Sequence, residues 1–472
     1  MPLLALANEL LNAIIELSDF SDARELCKTC HLLNKLATPH LYSAVTFDEK
    51  SEVNSPEGPC PYFFLRTIVN RPDLARFTKT FKCVWLLRAD LEKIRRTFHR
   101  NLGDTNPAPD LWDLVLTKVN EASASKKQAK LWHTAIMGLR YSRAPGSDGV
   151  FAFIACLLPN LKEIHMSEGT FNRGGNAGSI DPTAKFFAPL FARAVALQIK
   201  QRASEHEISP YSMSNVTSMS IKNISHEDVP LSKIVHRLEL SSIRKFVVQD
   251  ANDFFPATSF SIPETFTSRV EDLRFERSVL HAENFRKLLS ACSSLRRFSF
   301  GHHSIKVLFH PIEMIEGLMA SKETLEFIEA RVSKEYINYY LLDIVFVSRP
   351  CSFANFTKLK EIVVSAGLIL YDRIGGIPSK NTKTDHIGAF LQRIPRSLQK
   401  LTLKDCYLYN HKASAAVMAL VREKEIYAPD LKYISLSWRD CYPEQKCSRM
   451  DDLIEECKVG GIELALHFSP CT

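Results

Sequence analysis

The residue types and spacing best suited to chemistry in this chain are Cys27-x-x-Cys30-His31. Such spacing serves covalent haem attachment or half of a tetrahedral zinc site. Nothing else in the sequence completes either one. No second Cys-x-x-Cys occurs, the amino terminus lacks the basic-then-apolar order of an export signal, and Cys30 falls on an apolar stripe. Both thiols are therefore assigned to packing. His302-His303 has no carboxylate or cysteine at ligand spacing, and no G-x-S-x-G elbow, H-E-x-x-H motif, EF-hand loop, G-x-G-x-x-G or P-loop is present. The run Gly174-Gly175-Asn176-Ala177-Gly178 reads as a flexible loop. The expectation is a non-enzymatic chain with no catalytic residue, no cofactor and no metal.

Composition narrows the class. A length of 472 residues exceeds one hydrophobic core, and 45% apolar with 24% charged residues is the balance of a folded chain. The net charge of +7 is spread over pairs such as Arg95-Arg96, Lys126-Lys127 and Arg296-Arg297, so no concentrated basic face for nucleic acid is expected. The longest uncharged apolar stretch, Gly149 to Leu161, falls short of the ~20 residues that span a bilayer and contains Pro159. An intracellular location, cytoplasmic or nuclear, follows, with the twelve cysteines as reduced thiols.

The elements that position these residues start at once. Leu6, Leu10, Ile14 and Leu17 recur at helical spacing, with Asn8 as cap and Glu9 at the positive end of the dipole. Asp22 and Glu25 have capping-box spacing and open a second helix, whose stripe Leu26, Cys30, Leu33 and Ala37 ends at Pro39. Leu41 to Phe47 reads as an exit strand. Two helices of this length bury too little to stand alone, so their apolar stripes rest on the remainder of the chain or on a partner.

Further along, the template apolar-x-x-apolar-x-apolar recurs as Leu161/Ile164/Met166, Val216/Met219/Ile221, Val235/Leu238/Leu240, Val270/Leu273/Phe275, Leu295/Phe298/Phe300, Leu359/Ile362/Val364, Leu398/Leu401/Leu403 and Leu431/Ile434/Leu436. Leu325/Ile328/Ala330 is a weaker copy. Helix-like segments such as Glu283 to Ala291, Pro311 to Ala320 and Ala413 to Lys424 lie between the later copies. A strand plus a helical return every few tens of residues is the rhythm of leucine-rich repeats; an unrelated α/β domain gives the same coarse pattern. Residues 88 to 142 read as a helical insertion, with apolar spacing at Leu91, Ile94, Phe98 and Leu102 and at Leu131, Ala135 and Leu139.

Residues 3 to 47, from Leu3-Leu4-Ala5-Leu6-Ala7-Asn8-Glu9-Leu10-Leu11 through Leu26-Cys27-Lys28-Thr29-Cys30-His31-Leu32-Leu33-Asn34 to Tyr42-Ser43-Ala44-Val45-Thr46-Phe47, resemble an F-box, particularly those of fungal F-box proteins. Phe64 to Phe77 with Phe81-Lys82-Cys83, and Leu158 to Ile164, are similar to the first repeats of that family. The resemblance implies an α/β chain with an F-box-like helical module at 1–47, a linker with the first repeat strand and helical insertion at 48–149, and an irregular leucine-rich-repeat solenoid at 150–472. It further implies that Leu6, Glu9, Leu10, Ile14, Leu26, Cys30 and Leu33 bind the small adaptor subunit of a cullin-RING ubiquitin ligase, and through it a cullin. The chain would then be one copy of the substrate-recognition subunit of an SCF-type complex. One position departs: Ala7 stands where the family usually has proline. That leaves open a repeat scaffold without ligase engagement.

Period-two alternation also predicts which strand residues face away from the core. These are Glu163, His165 and Ser167; Asp272, Arg274 and Glu276; Arg297, Ser299 and Gly301; Glu361, Val363 and Ser365; Lys400, Thr402 and Lys404; and Tyr433, Ser435 and Ser437. Arg274, Arg297 and Tyr433, with Trp438 just beyond the last strand, are the expected contacts for a target protein.

Overall fold

The computed structural model describes residues 3–47, 61–84, 109–123, 125–141, 147–168, 182–203, 210–223, 229–253, 262–302, 311–332, 351–370, 386–407, 412–439 and 448–469. The chain is α/β and divides into two compact units, Met1–Glu227 with Leu240–Ile243, and Asp228–Glu239 with Arg244–Thr472. Leu91, Ile94, Phe98, Leu102, the loop at Gly174 and His303 lie outside the described residues. Among the described residues no helix is long and apolar enough to cross a membrane.

In the first unit three helices, α1 (Asn8–Leu17), α2 (Phe20–Thr29) and α3 (His31–Leu41), lead into strand β1 (Ala44–Phe47). Their details correct the expected boundaries. Asn8 is the first helical residue of α1 rather than its cap; Ala7 caps the helix and makes no side-chain bond. The capping side chain of α2 is Asp19, which accepts from the Asp22 amide at 2.8 Å, so the helix starts before Asp22. The expected single second helix is two, because Cys30 adopts extended backbone (φ −156°, ψ 166°) and breaks the stripe, while Pro39 lies inside α3 rather than after it. Asn34 Nδ2 donates to the Cys27 carbonyl at 2.7 Å, satisfying a terminal acceptor of α2 across the break. Leu11, Ile15, Ala23, Leu33 and Ala37 form the buried centre of the three helices.

Strands β2 (Thr80–Val84), β3 (Glu163–Glu168) and β4 (Ser218–Asn223) follow β1 in parallel and in chain order. Val45 lies beside Phe81, Phe81 beside Ile164, and Ile164 beside Met219, so the core rows run straight across the strands. Parallel neighbours need crossovers, supplied here by helices that include Pro61–Asn70, Ser147–Cys156 and Pro182–Ala203. The described part of the expected insertion is helical, Pro109–Ala122 and Lys126–Tyr141. Its inward stripe is Val115, Val119, Ala129, Trp132 and Ile136, whereas Leu131 is exposed.

The second unit opens with a two-stranded parallel pair, β5 (Val229–Pro230) with β7 (Ala251–Asn252), around the helix Leu231–Leu238. Its parallel ladder then runs in chain order through β6 (Lys245–Gln249), β8 (Asp272–Ser278), β9 (Arg297–His302), β10 (Phe327–Val332), β11 (Glu361–Ser365), β12 (Lys400–Tyr407), β13 (Tyr433–Arg439) and β14 (Glu463–Ser469). Val235/Leu238/Leu240, read as a strand, begins in a helix; the strand is the next copy, Ile243/Phe246/Val248. Phe246, Leu273, Phe298, Ile328, Ile362, Leu401 and Ile434 sit side by side through successive registers, each fully shielded from solvent. Burying such a row, at roughly 1.5–3 kcal/mol per large side chain, favours this stacking of strand on strand.

Candidate functional site

Two surfaces of the fold carry the residues singled out by the sequence, one in each unit. The first lies on α1. Leu10, Ile14 and Leu17 are 54%, 40% and 90% exposed, whereas Leu11 and Ile15, one position on, are 1% and 2% exposed. At 100° per residue these are two different faces of one helix, and the inner one is spent on the three-helix centre. Leu4 and Phe20, also exposed, flank the outer one in sequence. Glu9 is exposed, Leu6, Leu26 and Cys30 are half-buried, and Leu33 is 4% exposed. Leu33 is therefore corrected from the expected contact set to the module's own core: the break at Cys30 turns its side of α3 inward.

The thiols of Cys27 and Cys30 are free and half-buried, and Cys27 Sγ lies 3.9 Å from Thr38 Oγ1. Among the described residues no cluster of His, Cys, Asp and Glu could hold a metal ion.

The second surface is the outward face of the strands in the second unit. Asp272, Arg297, Phe327, Glu361, Lys400 and Tyr433 form one row through the registers of β8 to β13. The Arg274 guanidinium grips the Asp272 carboxylate of its own strand through Nε at 2.9 Å and Nη2 at 2.7 Å, and that bond holds the guanidinium above its usual range. Arg297 lies over the Phe327 ring, 4.2 Å from its centroid, a cation–π geometry that flattens both groups on the sheet. Arg331 pairs with Glu329, Ser365 Oγ donates to Asp405 at 2.8 Å, and burial followed by the Arg331 charge pushes the Lys404 ammonium down. In the first unit, the corresponding face of β3 places His165 Nδ1 2.6 Å from Ser220 Oγ.

Four expectations for this face are corrected. Val363, Ser365 and Ser435 are 8%, 2% and 5% exposed, short side chains shaded by longer neighbours. Trp438 lies inside β13 rather than beyond it and is buried at 1%, because its even position puts it on the core side, beside Cys406. Phe327, Glu329 and Arg331 belong to the face and were missed; Ala330 closes their template weakly and hides the strand. Arg274, Arg297 and Tyr433 do face outward, with Arg297 the most open of them.

No model of a known protein family matches this chain, and no curated protein matches it in sequence.

Proposed function

We propose that the chain is the substrate-recognition subunit of an SCF-type cullin-RING ubiquitin ligase, its F-box-like helices docking the small adaptor and its strand-plus-helix units forming an irregular leucine-rich-repeat solenoid that holds a target protein. The observation that carries this reading is the second apolar face of α1. Leu10, Ile14 and Leu17 cost solvation where they stand, since the helix already has a complete inner face in Leu11 and Ile15. A desolvating partner at that face accounts for them. Ala7, where the family usually has proline, has a φ of −61°, an angle proline could also adopt. The parallel strands, following chain order with a helical return, supply the extended polar face that such repeats use for binding.

The test is co-expression of the chain with adaptor and cullin, followed by purification on the chain. The wild type retains both, and Leu10→Asp or Ile14→Asp releases both, because an unpaired charge in a desolvated contact costs several kcal/mol. The alternative is a repeat scaffold without ligase engagement, motivated by Ala7 standing where the family usually has proline. A folded wild type that retains neither subunit establishes that alternative.

A further inference from the structure

Among the described residues β14 has a strand neighbour on one side only, β13. Tyr433 and Glu463 are partners in this parallel register, and the Glu463 amide donates to the Lys432 carbonyl at 2.9 Å. That phase turns the main-chain groups of Glu463, Ala465 and His467 toward β13 and those of Leu464, Leu466 and Phe468 toward the open edge. On the core face Leu464, Leu466 and Phe468 continue the rows of Ile434, Leu436 and Trp438, yet they remain half-exposed where those are fully buried. The strand contains neither proline nor lysine, the usual protections of an edge.

The residues along this edge select what fits it. Ile462-Glu463-Leu464-Ala465-Leu466-His467-Phe468 has nearly the same chemical order from either end. In an antiparallel pairing centred on Ala465, Leu464 faces Leu466 of a second copy, Ile462 faces Phe468, and the Glu463 carboxylate faces the His467 imidazole, an acceptor opposite a donor. The hydrogen-bonding phase agrees with this register. Leu464 and Leu466, whose main-chain groups point outward, meet as a bonded pair, while Ala465 meets itself at a non-bonded position, where side chains come closest and a small one is needed. A one-residue slip would set inward-pointing against outward-pointing main-chain groups, and a slip that brings Glu463 opposite itself would oppose like charges. We propose that β14 pairs antiparallel with β14 of a second copy of this chain, about a two-fold axis through the Ala465 pair. The contact is isologous and closes at two chains, which revises the expectation of a single copy.

Sedimentation velocity of the full chain over a dilution series tests this. The wild type is expected to show a monomer–dimer equilibrium. Leu466→Pro deletes an outward amide for which the described residues provide no strand partner, and is expected to leave a folded monomer, with folding followed by circular dichroism. Glu463→Lys is expected to weaken the dimer by about tenfold, and the exchange Glu463→Lys with His467→Glu to restore it. A wild type that stays monomeric throughout the series overturns the proposal. So does a dimer indifferent to Leu466→Pro, or a Glu463→Lys defect that the exchange does not repair.

Discussion

Leu10 and Leu11 are chain neighbours about 100° apart around α1, Leu11 turned into the three-helix centre at 1% exposure and Leu10 toward solvent at 54%. The two positions should therefore separate folding from docking. Leu11→Ala is expected to cost ~2–4 kcal/mol and to loosen the helices at the amino end. Leu10→Asp is expected to change stability by less than ~0.5 kcal/mol while releasing the proposed adaptor. Urea unfolding and co-purification, run on both variants, check the separation; an equal loss of stability would place Leu10 in the core.

The adjacent pair also shows why the face could not be read from spacing. Leu10 and Leu11, followed by Ile14 and Ile15, offer two apolar stripes at one period, and periodicity alone cannot say which is turned inward. The later strands were more legible, because one copy of the template places three side chains on the core side and the next copy lands in register beside them. It failed in two places. Leu231–Leu238 is a helix whose last turn mimics a strand pattern, and in β14 the first template position is Gly461, a left-handed residue at φ +66° with no side chain to reveal it. Break points such as Cys30 leave no mark in composition.

Gly317 is a contact invisible in sequence. A Cβ built there meets Leu289 Cβ at 2.7 Å and the Arg286 carbonyl at 2.8 Å, so the helices Ala282–Ser290 and Pro311–Leu318 approach through a bare backbone. Gly317→Ala gains about 1 kcal/mol of helix propensity, yet is expected to lose stability overall by ~1–3 kcal/mol through overpacking. A denaturant midpoint at or above that of the wild type would show that the helices can move apart.

Asp253 accepts from the His281 amide and from Asn284 Nδ2 at 3.1 Å, capping the helix Ala282–Ser290 from a distant loop, since His281 makes no side-chain cap. Burial pushes its carboxyl above the ordinary range despite these donors. The folded chain thus holds this proton more tightly than the unfolded one, and its contribution to stability falls as pH rises from the unfolded carboxylate range through the raised value. Asp253→Asn removes that slope. Unfolding free energies measured across this range should shift in favour of the variant as pH rises; parallel curves would rule the coupling out.

Thiol reactivity gives a map of packing. Burial pushes Cys156, Cys292 and Cys351 up to about 12 and Cys457 to about 11, while Cys27 and Cys30 are half-exposed. At pH 8 a thiol of pKa 12 is ionised to roughly one part in ten thousand, and the thiolate is the reactive form. Among the described cysteines, alkylation of the native chain, read by peptide mass mapping, is expected at Cys27 and Cys30 first, with these four buried thiols following only on unfolding. Early labelling of Cys292 would mean that the strands around it open locally.

Arg297 and Trp438 were expected to share one role, and their surroundings separate them. Arg297 lies on the outward face with its guanidinium over Phe327, so Arg297→Ala deletes an exposed planar donor and leaves an aromatic ring uncovered. This should abolish capture of the proposed target with little change in melting temperature. Arg274 needs a gentler test, because removing it strips Asp272 of a bidentate partner; Arg274→Lys keeps the charge and loses the fork. Trp438 is fully buried and, among the described residues, its indole N–H has no hydrogen-bond partner. Trp438→Ala is thus expected to cost ~3–5 kcal/mol through a cavity, whereas Trp438→Phe keeps most of the volume, deletes the orphan donor and costs far less. Proximity labelling and thermal melts on the four variants decide the matter. If Arg297→Ala and Arg274→Lys both leave the captured proteins unchanged, the outward strand face of the second unit is not where the target is held.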